Sequence, residues 1–444
     1  MAIMQKEEYL DRLRSQFDSS LSDRDVTEPE WMLPVRERAM RNFEAKGFPT
    51  TRMEDWRYFN LSSLWQRSYS FDPIPNFNEL AVKRNDILGM NSACRLVFVN
   101  GRFSRELSGK NITPRNLSVL PLTEAYSSQK ERISFFMDNN AVWGENSLRS
   151  LNAAFMQDGA LIFIPDGESV EEPIWLVFMA IPAERLESYQ PRILIEAGEN
   201  SRLTLIESHV AYKSGEYWSN PMVQLRAKQG AVIDHYKVQM ESPQATHTSH
   251  YHALLDRDVQ FTATSLSFGG GLVRNDIQTE LQGEGIECTL NGLYMADERR
   301  LVDHHTSIDH QMPRCVSHEL YKGIINEHAT AVFNGKVYVR EDAQKTDAKQ
   351  TNQNLLLSED ATVYTKPQLE IFADDVRCTH GATVGQLNEE ELFYLRSRGI
   401  SKEEGKKLLI WAFASDIIGR IKVDTLREPL QERVFQHFNA GYIK

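Results

Sequence analysis

Cysteine is scarce in this chain: its 444 residues hold four, Cys94, Cys288, Cys315 and Cys378, with no Cys-x-x-Cys pair among them. That excludes a disulfide scaffold, and it excludes a self-contained zinc or iron–sulfur ligand set drawn from adjacent cysteines. Long apolar runs are also missing. The longest, residues 174–182, is about half of what a transmembrane helix needs. Residues 1–17 carry Glu7, Glu8 and Asp11 where a signal peptide would have its apolar core. No cluster of lysine or arginine forms an arm, and the formal net charge is −12, so neither nucleic acid nor membrane is expected as a partner. The chain has no Gly-x-x-x-x-Gly-Lys-Ser/Thr loop. Gly269-Gly270-Gly271 follows strand residues but opens no helix, so the chain alone should not hydrolyse nucleotide. These absences together fit a reducing, cytoplasmic setting or an equivalent organelle.

What is present is a change of character along the chain. Its length predicts two or three domains. Residues 5–21 place Leu10, Leu13, Phe17 and Leu21 on one helical face. A second helix is expected over 34–46, where Val35, Ala39 and Phe43 recur and Gly47 with Pro49 gives the stop. Trp56 and Tyr58 in the aromatic stretch after it read as packing on a domain core. Residues 95–103 read as a strand entering an Asn-Gly hairpin turn, and 124–156 return to helical composition. From Ala160 to residue 384 short strands follow one another without a convincing helix. Polar turns recur at 198–200, 229–230, 256–258, 283–285, 326–328 and 358–360, about 30 residues apart with a longer gap near 305. A strand–turn–strand unit at that period predicts a solenoid sharing one apolar core, although a β-sandwich also supplies many short strands. After Gly385 helices return. Asn388 and the Ser401/Glu404 pair have cap spacing, and the apolar stripe from Leu408 to Ile421 is wide enough to cap the end of the β region. The expected domains are 1–157, mostly helical; 158–386, the β core; and 387–444, helical.

Candidate chemistry lies in the β region. Ten of the twelve histidines fall between His209 and His328; the others are His380 and His437. On strands His250 and His252 share a face, as do His304 and His310, while His305 opposes His304. A metal needs three or four converging ligands, and Asp303 and Asp309 fall on the His305 face. These histidines therefore read as solvated or ladder-stacked positions; the alternative is a stand-alone metal site between residues 247 and 310. Cys378 and His380 stand two apart on one strand and point the same way, their Cα atoms about 6.5–7 Å apart. Both can reach one soft metal such as iron, but two ligands are too few without a partner chain. Two other readings of the pair stay open: a half-buried cysteine beside a surface histidine, and a Cys–His nucleophile, for which no orienting acid is evident. A polysaccharide-active β-helix enzyme also remains open.

Several segments carry a resemblance. They are His304-His305-Thr306-Ser307-Ile308-Asp309-His310, Tyr321-Lys322-Gly323-Ile324, Asn352-Gln353-Asn354-Leu355-Leu356-Leu357, Lys366-Pro367-Gln368-Leu369-Glu370-Ile371, Cys378-Thr379-His380-Gly381-Ala382-Thr383 and the stretch from Leu392 to Ile400. The chain resembles the SufB/SufD family of iron–sulfur cluster assembly components. Gly47-Phe48-Pro49 with Glu54-Asp55-Trp56-Arg57-Tyr58, and the absence of a SufB-type cysteine near Gln353 or Asn354, favour the SufD branch over a SufB-like scaffold. The resemblance implies a right-handed parallel β-helix core between helical terminal domains, and a subunit without catalytic activity of its own. It implies pairing with a SufB-like subunit through that core, a SufC-like ABC ATPase docked on the C-terminal helices, and a transient iron–sulfur cluster at the SufB interface. His380, with Cys378 beside it, is this chain's implied metal-binding contribution. The resemblance leaves flavin binding by the complex open, and it admits a homodimer of the isolated chain.

Overall fold

The computed structural model describes residues 2–22, 28–73, 94–109, 117–138 and 146–439. Its centre is a parallel β-solenoid of two facing sheets, in which each coil contributes one long strand to each sheet. The first sheet runs from Arg95–Val99 through Ile174–Ala180, Arg202–Ala211 and Val232–Met240 to Asp347–Leu356 and Arg377–Gly385. The second runs from Gly159–Ile164 through Met222–Ala227, Thr246–Leu255 and Leu301–His310 to Thr330–Val339 and Thr362–Ile371. The expected hairpin is there: Arg95–Val99 pairs antiparallel with Arg102–Phe103, and Asn100 and Gly101 have φ of 48° and 79°. Parallel pairing continues in register from Leu205 to His235 to Ala263 to Leu290 to Glu319 to Gln350 to His380. Inward positions near the strand starts of the first sheet (Leu203, Ile233, Phe261, Cys288) and toward the strand ends of the second (Leu225, Ala253) are apolar, and they form one continuous core.

The turns that signalled the solenoid belong to two corners. One corner stacks a left-handed residue in every coil: Gly167, Asn200, Gly230, Asp258, Gly285, Arg314 and Lys345. Their N–H groups donate up the column, from Asn200 to the Gln229 carbonyl at 2.8 Å and from Arg314 to that of Gln344 at 2.8 Å. The second corner holds Glu298 and Glu327, with φ of 54° and 53°, and Ser358 donates there to the Glu327 carbonyl. The expected turns at 326–328 and 358–360 lie at this second corner, and the gap near 305 is closed by Glu298 and Arg314. Both are non-glycine residues at positive φ, as are Asp258 and Glu327 in the turns that were expected.

Glycine matters most in the interior. Gly292 stands beside Tyr321, and Gly323 beside Tyr294, on neighbouring strands. A Cβ on Gly292 would fall 2.2 Å from Tyr321 Cδ1, and one on Gly323 would fall 2.2 Å from Tyr294 Cε2. Each ring fills the space its opposing glycine leaves. Gly292→Ala should therefore destabilise the chain by about 2 kcal/mol through overpacking, seen as a lower urea midpoint at unchanged slope.

Helices cover both outer faces. Ala2–Ser22 and Met32–Lys46 bury Leu13, Phe17, Ala39 and Phe43 against Leu161, Leu194, Trp218 and Met222 of the second sheet. Gly47, at φ 66°, ends the second helix and donates to the Phe43 carbonyl. Leu122–Ala125, Lys130–Asp138 and Ser147–Phe155 fill the expected helical stretch; residues 139–145 of it lie outside the described residues. On the other side, Lys402–Ile418 and Asp424–Asn439 lay Ile410, Ile417, Ile418 and Leu430 on Trp175, Val177, Tyr236 and Val238 of the first sheet. The C-terminal helices thus lie along the flank of the solenoid, not over its end as their apolar stripe suggested. Ile174–Ala180 shows why. It is buried on both faces, so its outward side chains demand a cover of their own. No helix among the described residues is long and apolar enough to cross a membrane.

Candidate functional site

With the helices on the flanks, the last coil is left bare. Arg377–Gly385 pairs only with Asp347–Leu356, and Thr362–Ile371 only with Thr330–Val339, among the described residues. Two strand edges therefore end the molecule with open backbone groups. Tyr364, Ile371, Phe372 and Val384 are exposed there, Phe372 by 58%. Tyr58, expected in a core, instead stacks on Tyr364 at 4.0 Å and is itself 39% exposed.

Cys378 and His380 lie on this edge, opposite Ala348 and Gln350, and by strand parity on one face. His380 is exposed, whereas Cys378 is half-buried against the small apolar cluster of Val337, Val339, Ala343 and Ala348. Burial pushes the Cys378 thiol up from its ordinary value, partly offset by a hydrogen bond from the Ala348 backbone. At neutral pH it is a thiol, and a bound soft metal would have to displace its proton. A Cβ added at Gly381 or Gly385 would meet nothing within 4 Å, so the strand is open to an approaching chain.

Behind the edge, the solenoid interior turns polar at the middle of its strands, a feature that no sequence motif announced. Under His380, Gln350 Nε2 donates to Glu319 Oε2 at 2.6 Å, and burial pushes the Glu319 carboxyl up to about 7. His304 sits between Tyr294 and Tyr321, and burial depresses it to about 3. Further in, Glu207 accepts from His209 Nε2 at 2.6 Å and lies 3.1 Å from His235 Nε2. Lys237 donates to His247 Nε2 at 2.9 Å and to Asn275 Oδ1 at 2.8 Å, while His247 Nδ1 lies 2.6 Å from Glu241. Burial lowers Lys237 to about 8 and His247 to about 4. The readable signal was parity: Glu207 and His209 continue the inward series of Leu203 and Leu205.

The other histidines divide as parity requires. His304 and His310 point inward and His305 outward, 3.0 Å from Asp303. His250 and His252 face outward, against Asp276 and Glu280. His209, His247, His250, His304 and His310 are fully buried, which corrects the solvated reading for them. Among the described residues no three His, Cys, Asp or Glu groups converge as a metal site needs.

Fold and edge together define a class: a parallel β-solenoid, bare at its last coil, with a Cys-x-His pair on its last strand. The family comparison identifies that class. The family described as "SUF system FeS cluster assembly, SufBD core domain" matches residues 179–413, and "SufBD protein N-terminal region" matches 4–176. An iron–sulfur cluster assembly SufBD family protein of Synechocystis is 31% identical, over 92% of this chain and 91% of its own. The iron–sulfur cluster assembly protein SufD of Escherichia coli is 29% identical over 92% and 93%, and SufD of Bacillus subtilis 23% over 91% and 93%. The chain belongs to the SufB/SufD family, in its SufD branch.

Proposed function

We propose that this chain is a SufD-type subunit, without catalysis of its own, of a SUF iron–sulfur cluster assembly complex, and that its bare edge pairs with a SufB-type chain to form the place where a nascent cluster is held. The observation that carries the reading is the side-by-side placement of Cys378 and His380 on a strand paired along one edge only, among the described residues. A cluster takes roughly four protein ligands. This chain offers two, and a partner edge laid beside it would bring the rest. Ligands divided between two subunits also let the cargo leave: a small rotation at the interface separates them and breaks the set. His380 is the first ligand in this scheme. Cys378 is second, because its thiol must lose a proton and turn outward from its apolar cluster.

The C-terminal helices are the proposed dock for a SufC-type ATPase. Glu389–Ser397 buries only Leu392 and leaves Phe393 and Tyr394 exposed by 72% and 59%. An aromatic pair on a short helix suits a partner pocket. Replacing both Phe393 and Tyr394 by serine should cut ATPase co-purification at least tenfold and leave the thermal midpoint within a few degrees, since neither side chain is buried. Co-expression with candidate SufB and SufC chains tests the whole reading. A stable complex that accumulates iron and sulfide is expected; a chain that purifies alone in the presence of both partners would refute it.

A further inference from the structure

A cavity of about 410 Å³ lies on the outer face of the second sheet, where Asp55 and Trp56 of the N-terminal region cross it. That volume is in the range of small-molecule sites. Unlike most such sites, its wall is rich in charge and amides. The charges are unevenly matched. Arg274 is fully satisfied: Asp276 takes Nε and Nη2, Asp303 takes Nη1 at 2.7 Å, the Asp55 carbonyl accepts at 2.7 Å, and Trp56 covers the guanidinium at 3.9 Å. Lys336 is paired with Glu370.

Arg149 is the exception. It is 8% exposed and stands in the first turn of Ser147–Phe155. Its guanidinium makes one hydrogen bond, from Nη1 to Gln278 Oε1 at 3.2 Å, and pairs with no carboxylate among the described residues. The nearest carboxylates, Asp276 and Glu280, act on it only through space and are bonded to Arg274 and His252, so its buried Nε is left without an acceptor, which is costly to keep. The nearby helix N-terminus adds potential of the same sign. Beside the charged residues, which include Asp55 and Asp276, the wall offers neutral hydrogen-bonding groups. Ser307, Asn334 and Gln368 face the cavity from successive strands, and the amides of Asn334 and Gln368 have no protein partner among the described residues.

We propose that this cavity binds a small hydroxylated carboxylate of the sugar-acid class. The buried, unpartnered Nε of Arg149 calls for an acceptor, and the ligand carboxylate sits there. The sheet-borne amides and Ser307 then take the hydroxyls. The site is on the outer face of the sheet, so it stands or falls independently of the edge carrying His380.

Calorimetric titration of the full chain with D-gluconate, with sorbitol and inorganic phosphate as separate arms, tests the assignment. Gluconate should bind below about 1 mM and raise the thermal midpoint, as mass action requires of a native-state ligand. Sorbitol should do neither. Arg149→Gln should weaken gluconate at least tenfold. Ser307→Phe, which fills the cavity from the sheet side and leaves the charges in place, should abolish binding and decides the matter if Arg149→Gln does not fold. Gluconate binding no better than sorbitol, or undiminished in Ser307→Phe, would overturn the proposal. Phosphate binding without gluconate binding would overturn the carboxylate class.

Discussion

His380→Ala should leave the chain folded and still bound to its partner subunits, while iron and acid-labile sulfide on the purified complex fall at least tenfold. The expectation rests on two properties that seldom coincide. The side chain is exposed on an edge strand, where its loss breaks no packing among the described residues. Substitutions at such positions change stability by about 0.5 kcal/mol or less. It is also half of a donor pair on a surface otherwise made of Thr379, Gly381, Ala382 and Thr383, none of which can replace an imidazole as an iron ligand. A ligand removed from a set that spans two chains should empty the site and spare the interface. Cys378→Ala should be milder in its effect on the cluster and slightly destabilising, because the sulfur also packs on Val337 and Ala348. A His380→Ala complex with full cluster content would end the proposed role.

Acid should unfold the chain well before its surface carboxylates protonate. Burial holds His304 at about 3 and His310 at about 4, against about 6.5 in an unfolded chain. Between those limits the unfolded state binds protons that the folded state refuses. Stability is therefore full above pH 6.5 and falls as pH drops toward 4, by about 1.4 kcal/mol per pH unit for each histidine. His247 and His250, depressed to about 4 by burial, act in the same direction. Glu319 has the opposite sign. Its folded value is raised to about 7, so its contribution is full below about pH 4.5 and is lost as pH rises through 7. The test is the slope of unfolding free energy against pH from urea titrations. His304→Gln should flatten the acid limb by about 1.4 kcal/mol per unit, and Glu319→Gln should steepen it by about the same where the two overlap. Equal slopes in all three proteins would show that these groups are not held as the interior geometry requires.

The solenoid was legible because each coil repeats two cues, an apolar inward series and a polar turn, and neither depends on distant residues. Asn388 and Ser401 were legible as caps for the same reason: their hydrogen bonds to Glu390, Glu391 and Glu404 are local. Packing direction was not. The apolar stripe of Lys402–Ile418 fits an end or a flank equally well, and the deciding fact is that Trp175 and Val177 need cover on the outer side. The interior network escaped for a related reason. Glu319 and Gln350 are a coil apart in sequence, and nothing brings them together until strand register is known. Arg149 is harder still. It sits on a helix between Leu148 and Ser150, and only the strand carrying Gln278 shows that its guanidinium hydrogen-bonds to one neutral side chain. Cys378 and His380 were found because two residues on one strand have a fixed relation that needs no fold to establish it.

The bare last coil also bears on supply. An edge strand of nine residues, with Phe372 exposed before it and Val384 exposed within it, and containing no lysine or proline, lacks the usual guards against pairing with the wrong neighbour. Under the proposed pairing, a molecule made without its SufB-type partner would find the next best edge in another copy of itself. In that proposed complex, matched synthesis of the two subunits would be part of how this chain stays usable, and an imbalance of dosage would cost functional protein even though every copy had folded.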